Sequence, residues 1–454
     1  MKNELNYDVV IIGGGPSGVN AAIASARTGA KTLLVERFGY LGGMLTNAGT
    51  GPMMTFHAGD TQVVEGIPDE IIERMKENQA SPGHMRDFVG YCSSVTPFDV
   101  EGMKIAMEDL AIEAGVVLLY HTTFLGCETS EDRIQKVRLF AKGGEFLVSA
   151  NVFVDATADA DLAVCSGVAV RFGRESDQLA QPMTMNAKVY NVDREKVREF
   201  LHSNVDKTFA KSHEVIDGSP RIGINGNFDE LKFAIESKEL SYNRDTVLCF
   251  ETNNLGEFII NMSRIARRSA INPFDLTAAE IEGRKQIRET IRFMKKYIPG
   301  FEDCVLAHTG PNIGIRESNK IDGLYVLNEN DLVENVMFDD AIAMGGYPID
   351  IHSPEGKSET NHRFLKKGSW YSIPYRSIIT KRVKNLVIVG RCLSATHVAL
   401  AAVRVTPIAM AIGHAGGVAA ALASIKKCDV QDVDIKELRS RLVEQNAFLS
   451  EFPK

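Results

Sequence analysis

The apolar, β-branched run Tyr7 to Ile12 ends in Gly13-Gly14-Gly15-Pro16-Ser17-Gly18, and the small residues Val19 to Thr28 follow at once. That order spells strand, glycine turn, helix. Gly13 permits the tight turn, Gly15 with Pro16 and Ser17 lets the backbone approach a diphosphate, and Gly18 lets the helix pack closely on the strand. A bound diphosphate would rest on free N–H groups at the positive end of that helix. Gly29 closes the helix, and Lys31 to Val35 is a second apolar strand ending at Glu36, 18 residues beyond Gly18. An acid there can accept hydrogen bonds from both hydroxyls of an adenosine ribose. The turn, helix, second strand and acid together predict a dinucleotide site rather than an unliganded turn.

With 454 residues, the chain has length for about three domains or two large ones at roughly 150 residues each. Hydrophobic residues at 44% and charged residues at 24% exclude disordered, collagen-like and coiled-coil classes. The net charge of −8, with no long run of one sign, argues against nucleic acid as a partner. Seven scattered cysteines, none in a C-x-x-C pair, suggest free thiols in a reducing compartment, so the expected location is cytoplasmic. No signal peptide is expected from the opening MKNELNYDVVIIGGG. The apolar stretch 401 to 425 carries Arg404, Pro407 and His414, which reads as a buried helix and not a membrane span.

The nucleotide motif does not choose between NAD and FAD; the residues beyond it point to flavin. Arg37-Phe38-Gly39-Tyr40-Leu41-Gly42-Gly43-Met44 places a glycine pair where a nicotinamide enzyme has no need of one. Strands are expected at Val116 to Tyr120 and at Thr122 to Cys127, which includes Phe124, then around the turn Gly143-Gly144, then at Val152-Phe153-Val154-Asp155-Ala156-Thr157. This order resembles the first half of the glutathione-reductase-type FAD domain, where an Ala-Thr-Gly signature follows the last strand; here the third residue is Ala158. Near the other end, Asn385 to Val389 runs into Gly390-Arg391-Cys392, and 407 to 422 is a long helix of small residues. Together with Gly310 to Ser318 and Gly345 to His352, these segments resemble the FAD-dependent oxidoreductases and, more distantly, the fumarate-reductase and succinate-dehydrogenase flavoproteins.

The resemblance implies an α/β fold: a Rossmann-like FAD-binding domain of glutathione-reductase type with an inserted α+β substrate or cap domain. The expected organisation is 1–165 for the first part of the FAD domain, 166–305 for the cap, 306–426 for the second part and 427–454 for a C-terminal helix. Within the cap, Lys211 to Asn227 reads as a polar loop and Thr277 to Tyr297 as a charged helix stopped by Pro299-Gly300. The flavin contacts implied are Gly13, Gly15, Pro16, Ser17 and Gly18 at the turn, Glu36 and Arg37 at the ribose, and Gly42, Gly43 and Met44 beside them. Phe124, Ala156 and Thr157 are implied from the middle, and Gly390, Arg391, Ala409 and Met410 from the end. The helix carrying Ala409 and Met410 would aim its positive terminus, about half a unit charge, at the flavin.

FAD as cofactor implies hydride exchange between flavin N5 and a small polar molecule, with one proton to be handled by a nearby acid or base. His397 and Arg404 occupy the region where the fumarate-reductase relatives bind a substrate carboxylate. His352, beside Asp350, could shuttle a proton, and Arg316 could anchor an anionic or polar substrate or pair with Glu317. His57 is a candidate covalent flavin link, and Cys392 reads as a buried small hydrophobe or a flavin contact. No metal site is expected, because no His or Cys pair falls at ligand spacing. No second Gly-x-Gly-x-x-Gly appears, so the electron partner is undefined. Two alternatives stay open: a fumarate-reductase-like alkene reductase, and an FAD-binding protein without turnover. The expected partner is a small molecule, with no nucleic acid or membrane, and a homo-oligomer is compatible with the sequence.

Overall fold

The computed structural model describes residues 5–356 and 360–450; residues 1–4 and 451–454, at the ends of the first and last expected segments, lie outside the described residues. A sheet of seven strands forms the base. Its parallel part runs Val117–Leu119, Thr32–Val35, Leu5–Ile12 and the second half of Gly144–Asp155, with Leu386–Ile388 pairing the last three residues of that strand. The first half of Gly144–Asp155 turns antiparallel to Arg133–Ala141, which pairs with Thr123–Ser130. One 12-residue strand thus belongs to both the parallel sheet and the meander. The turn between Arg133–Ala141 and Gly144–Asp155 uses Gly143 and Gly144 at φ +108° and +111°, which a residue with a side chain adopts only under strain.

Parallel strands are covered on both faces, which is why Val9, Val10, Ile11 and Ile12 are all buried although they point to opposite sides. On one face lie the Pro16–Arg27 and Thr406–Lys426 helices, packed against each other. A Cβ on Gly413 would sit 2.1 Å from the Ser17 carbonyl oxygen, and one on Gly417 would sit 2.1 Å from that of Ala21. Backbone touches backbone there, and only glycine permits it. The Thr406–Lys426 helix is long and apolar enough to cross a membrane by length and composition, yet 89% of its most apolar window is buried inside the fold.

The middle of the chain builds a second sheet, antiparallel throughout, in the order Gly223–Gly226, Val247–Glu251, Phe258–Ile260, Ala187–Tyr190, Val305–Thr309. Its last strand, Val305–Thr309, begins at residue 305 and carries the layer past the expected boundary. The Lys211 to Asn227 segment is not a loop: it holds a short helix, His213–Gly218, capped by Ser212, and the strand Gly223–Gly226. The apolar alternation of Ile222 and Ile224, both buried, was hidden by the flanking glycines. The charged helix starts at Pro273, four residues earlier than expected, because Asn272 accepts the Phe274 and Asp275 N–H groups and Pro273 supplies the first turn. At the C-terminus Asp434 caps the Ile435–Glu444 helix, which buries Leu438 and Leu442.

One buried histidine gives this core a pH limit. His414 is 1% exposed and its Nε2 lies 2.9 Å from Gln445 Oε1. Burial pushes its imidazole down from 6.5 to about 4. The unfolded chain therefore takes up a proton near pH 6.5 that the folded one refuses until about pH 4. Stability from this group is complete above pH 6.5 and falls on acidification toward 4, by about 3 kcal/mol in all. Urea unfolding between pH 7 and pH 4.5 is expected to show a shallower acid loss in His414→Asn than in the unaltered chain; parallel curves would rule this out.

Candidate flavin and substrate site

The glycine turn is assembled from three chain segments. Gly13, at φ +105°, lies against the strand end Ala156-Thr157, where a Cβ would stand 2.4 Å from the Ala156 carbonyl oxygen. Gly18 closes on Gly13 from the helix side, and a Cβ on Gly43 would stand 2.8 Å from the Gly15 Cα. The Gly42 N–H donates to the Gly14 carbonyl at 2.9 Å, so the second glycine pair is hydrogen-bonded onto the first turn. Gly13, Gly18, Gly42 and Gly43 thus shape the turn from behind, while Gly15, Pro16, Ser17 and Met44 line the open cleft.

Glu36 accepts the Gly14 N–H at 2.7 Å and the Phe38 N–H at 2.9 Å. Burial raises its carboxyl, and those backbone donors oppose the rise. Its position at the end of the second strand is the one the spacing predicts. Arg37 lies outside the cleft, with its guanidinium stacked 4.8 Å from the Phe38 ring.

From the far side, Ala156, Ala158, Val389, Gly390 and Arg391 line the same cleft. Ala158 sits at φ +67°, the left-handed conformation that the glycine of the related signature adopts without strain. Thr157 points away, its hydroxyl donating to the buried Asp155 at 2.7 Å. Arg391 bridges the layers, bonded to Asp159 at 2.5 Å and to the Ile315 carbonyl at 3.1 Å. The Thr406–Lys426 helix opens onto the cleft through Thr406 and Ala409, whereas Met410 is buried among the helices and does not reach it. Phe124 packs in a separate apolar cluster with the meander strands and is likewise not on the cleft.

The cleft, with the open solvent at its mouth included, spans about 1620 Å³, and it continues inward to a chamber lined by residues of both sheet layers. Of the four residues expected to act there, three line it: Arg316, His352 and Arg404. His397 does not. It opens a short helix, His397–Val403, and its Nδ1 lies 2.7 Å from Glu317 Oε2, turned to the fully buried pair that Glu317 makes with Lys320 at 2.6 Å. Glu317 is therefore the partner of Lys320 and His397 and not of Arg316. Arg316 instead donates to the Pro182 carbonyl at 2.7 Å and to the Thr184 hydroxyl. Arg404 donates to Gln181 at 3.3 Å and leaves its Nε without a partner.

Asp350 and His352 come from the Ile349–His352 strand, paired with Thr360–Arg363. His352 Nε2 lies 3.2 Å from Asp350 Oδ2. Burial drives the His352 imidazole well below its ordinary value, whereas the Asp350 carboxyl, which burial alone would raise, is held low by His352, Arg404 and His362. His57 lies off the cleft, against Ser94 at 3.0 Å, and Cys392 is buried in the core beneath the sheet.

Sequence reasoning missed Arg244, Tyr91 and His362, all on the chamber wall. The Tyr91 hydroxyl lies 2.8 Å from His362 Nδ1, between residues 271 apart in the chain, and His362 Nδ1 lies 3.5 Å from Asp350 Oδ1. No local pattern announces such a pair.

The chamber and turn fit a flavin dinucleotide: a Cβ on Gly15 would meet only the Gly43 Cα, at 3.9 Å, so the helix start is open, and Gly15, Pro16, Ser17, Gly390 and Arg391 line one continuous cleft there. The chain is 53% identical over 49 residues to soluble pyridine nucleotide transhydrogenase of Mycobacterium tuberculosis, covering 11% of this chain and 10% of that protein. It is 54% identical over 46 residues to dihydrolipoyl dehydrogenase of Trypanosoma brucei brucei, covering 10% of each. The chain thus spans about a tenth of the length of these curated relatives. Among solved structures, a geranylgeranyl bacteriochlorophyll reductase-like protein of Thermoplasma acidophilum superposes with a TM-score of 0.47 at 13% identity, over 98% of this chain and 85% of that one. The profile of the family described as FAD dependent oxidoreductase matches residues 8–442, and the chain belongs to that family as an oxidoreductase with FAD as its cofactor.

Proposed function

We propose that the protein transfers a hydride between a carbon of a small polar organic molecule and N5 of its FAD. The observation that carries this reading is the cleft that joins the Gly15–Ser17 turn to a chamber whose mainly apolar wall carries a few charged and polar groups, Arg316, Arg404, Tyr91 and His352 among them. Bound at that turn, FAD supplies a two-electron carrier at N5. The chain's own residues bind and orient the substrate and handle one proton. Arg316 and Arg404 position it from the inner wall, and the Tyr91 hydroxyl, hydrogen-bonded to His362 and backed by Asp350, is the group that gives the proton when the substrate is reduced. Burial raises the Tyr91 phenol well above 10, so it enters as a neutral donor.

The seven unpaired cysteines suit the reducing, cytoplasmic setting of such an enzyme. The test is anaerobic. Purified holoenzyme is mixed with alcohols, amines and hydroxy acids, and the visible flavin band is followed; dye-reduced enzyme is mixed with unsaturated acids. Loss of the band with one compound, slowed when the transferred hydrogen is deuterium, is the expected result. A band unmoved by every donor, with reduced enzyme unmoved by every acceptor, would overturn the reading.

A further inference from the structure

The inner chamber carries more positive charge than the fold itself uses. Arg244, Arg316 and Arg404 come from three distant segments and all line it. Arg244 is 5% exposed and has one long contact, from Nε to the Thr246 carbonyl at 3.4 Å. Arg316 bonds only a carbonyl and a hydroxyl, and Arg404 a single amide oxygen. Among the described residues no carboxylate stands within ion-pair distance of any of the three, although surface arginines such as Arg27 and Arg74 are paired. Asp245 and Asp350 also line the chamber; Asp350 lies within ion-pair distance of His352 and His362, and its charge only partly offsets the arginines, from beyond ion-pair distance.

Arg244 is buried and Arg316 and Arg404 are half-buried; guanidinium groups even partly taken out of water without a counter-charge are costly, and proteins pair them. Burial, then the neighbouring Arg404 and Arg244, push the Arg316 guanidinium well below its ordinary value, so these groups sense one another. What would relieve them is an oxyanion, which the planar fork of arginine grips through two parallel bonds. A neutral alcohol, amine or quinone would leave the strain in place.

We propose that Arg244, Arg316 and Arg404 form the binding site for an oxyanion group of the substrate, so that the molecule oxidised or reduced here is a small organic anion. Calling that anion the substrate rests on the hydride-transfer reading above; the anion site itself does not. The shared chemistry is a carboxylate or a phosphate, and the two are separated by the probes.

Oxidised holoenzyme is titrated with malonate, with inorganic phosphate and with malonamide, the neutral counterpart of malonate. Perturbation of the flavin band and calorimetry give the affinities. Malonate or phosphate is expected to saturate the enzyme, malonamide is not, and Arg316→Gln is expected to weaken the anion at least tenfold. Arg316→Lys, which keeps the charge and loses the fork, should fall between the two; flavin content and circular dichroism confirm that both variants fold. Saturation by malonate alone identifies a carboxylate, by phosphate alone a phosphate. Failure of both anions, equal binding of malonamide, or unchanged affinity in Arg316→Gln would each overturn the proposal. Anion binding, with no compound either reducing the oxidised flavin or reoxidising the reduced one, would remove the hydride reading and leave the site standing. Bleaching by a neutral donor with no anion bound would do the reverse.

Discussion

Gly15→Ala is expected to keep the apoprotein folded and to weaken FAD binding roughly 30- to 100-fold, while Gly18→Ala is expected to damage the fold itself. The two glycines stand three residues apart in one motif, and their surroundings decide the difference. A Cβ on Gly15 meets only the Gly43 Cα, at 3.9 Å, and the backbone there is extended at φ −71°, which alanine adopts freely. Alanine in place of glycine ahead of a helix costs the free chain about 1 kcal/mol or less. The new methyl group instead takes the space at the helix start that a diphosphate needs. Losing one charge-assisted contact to backbone N–H groups is worth about 2 to 3 kcal/mol, which corresponds to the stated loss.

A Cβ on Gly18, by contrast, would stand 1.8 Å from the Gly13 carbonyl oxygen, and backbone there cannot give way. Overpacking of this kind costs about 3 kcal/mol or more. Fluorescence titration of apoprotein with FAD, together with urea unfolding of the apo form, separates the two outcomes. Native FAD affinity in Gly15→Ala would show that the diphosphate lies elsewhere.

The second large effect lies behind the chamber. Lys320→Met is expected to destabilise the protein by about 3 to 5 kcal/mol, because it strips a buried carboxylate of its main counter-charge. Lys320 and Glu317 have side chains 2% and 0% exposed, 2.6 Å apart, and Lys320 also donates to the Gly173 carbonyl at 3.0 Å. Removing both charges with Glu317→Gln and Lys320→Met together is expected to recover much of the loss, since no lone buried charge remains. If the double variant is no more stable than Lys320→Met alone, the pair is not the source of the effect.

The same pair sets a pH dependence. Burial pushes the Glu317 carboxyl up, but His397 and Lys320 together hold it below its ordinary 4.5. A carboxyl lowered on folding stabilises the folded state fully above 4.5 and loses that contribution as pH falls through its folded value. The double variant should therefore unfold in acid with a flatter profile below pH 4.5 than the unaltered chain, which circular dichroism across that range would register.

Local chemistry made the nucleotide half legible. Gly13 to Gly18, Glu36 and the Gly42-Gly43 pair are contiguous or nearly so, and each answers a steric demand of its own turn, so spacing alone places them. Met410 and Phe124 show where that logic stops: both lie in the expected elements but point the wrong way, because the side of a helix or strand that faces a cleft depends on what packs behind it. His397 shows the same limit. It sits in the expected segment, yet its ring is engaged by the buried Glu317 and does not line the chamber.

The chamber itself is a product of tertiary folding. Tyr91, Arg244, Arg316, His362 and Arg404 arrive from five separate stretches, and nothing near any of them in the chain marks it as one of a set. The turn proposed to receive the diphosphate is a short-range object: backbone conformation and the absence of a Cβ suffice to specify it, and six consecutive residues carry both. A constellation of charges is a long-range one, fixed only when two sheets close over it and remove the water that would otherwise screen those charges. The amino-acid order therefore determined that this chain holds FAD, while the packing of its second layer decided which groups meet whatever FAD reacts with.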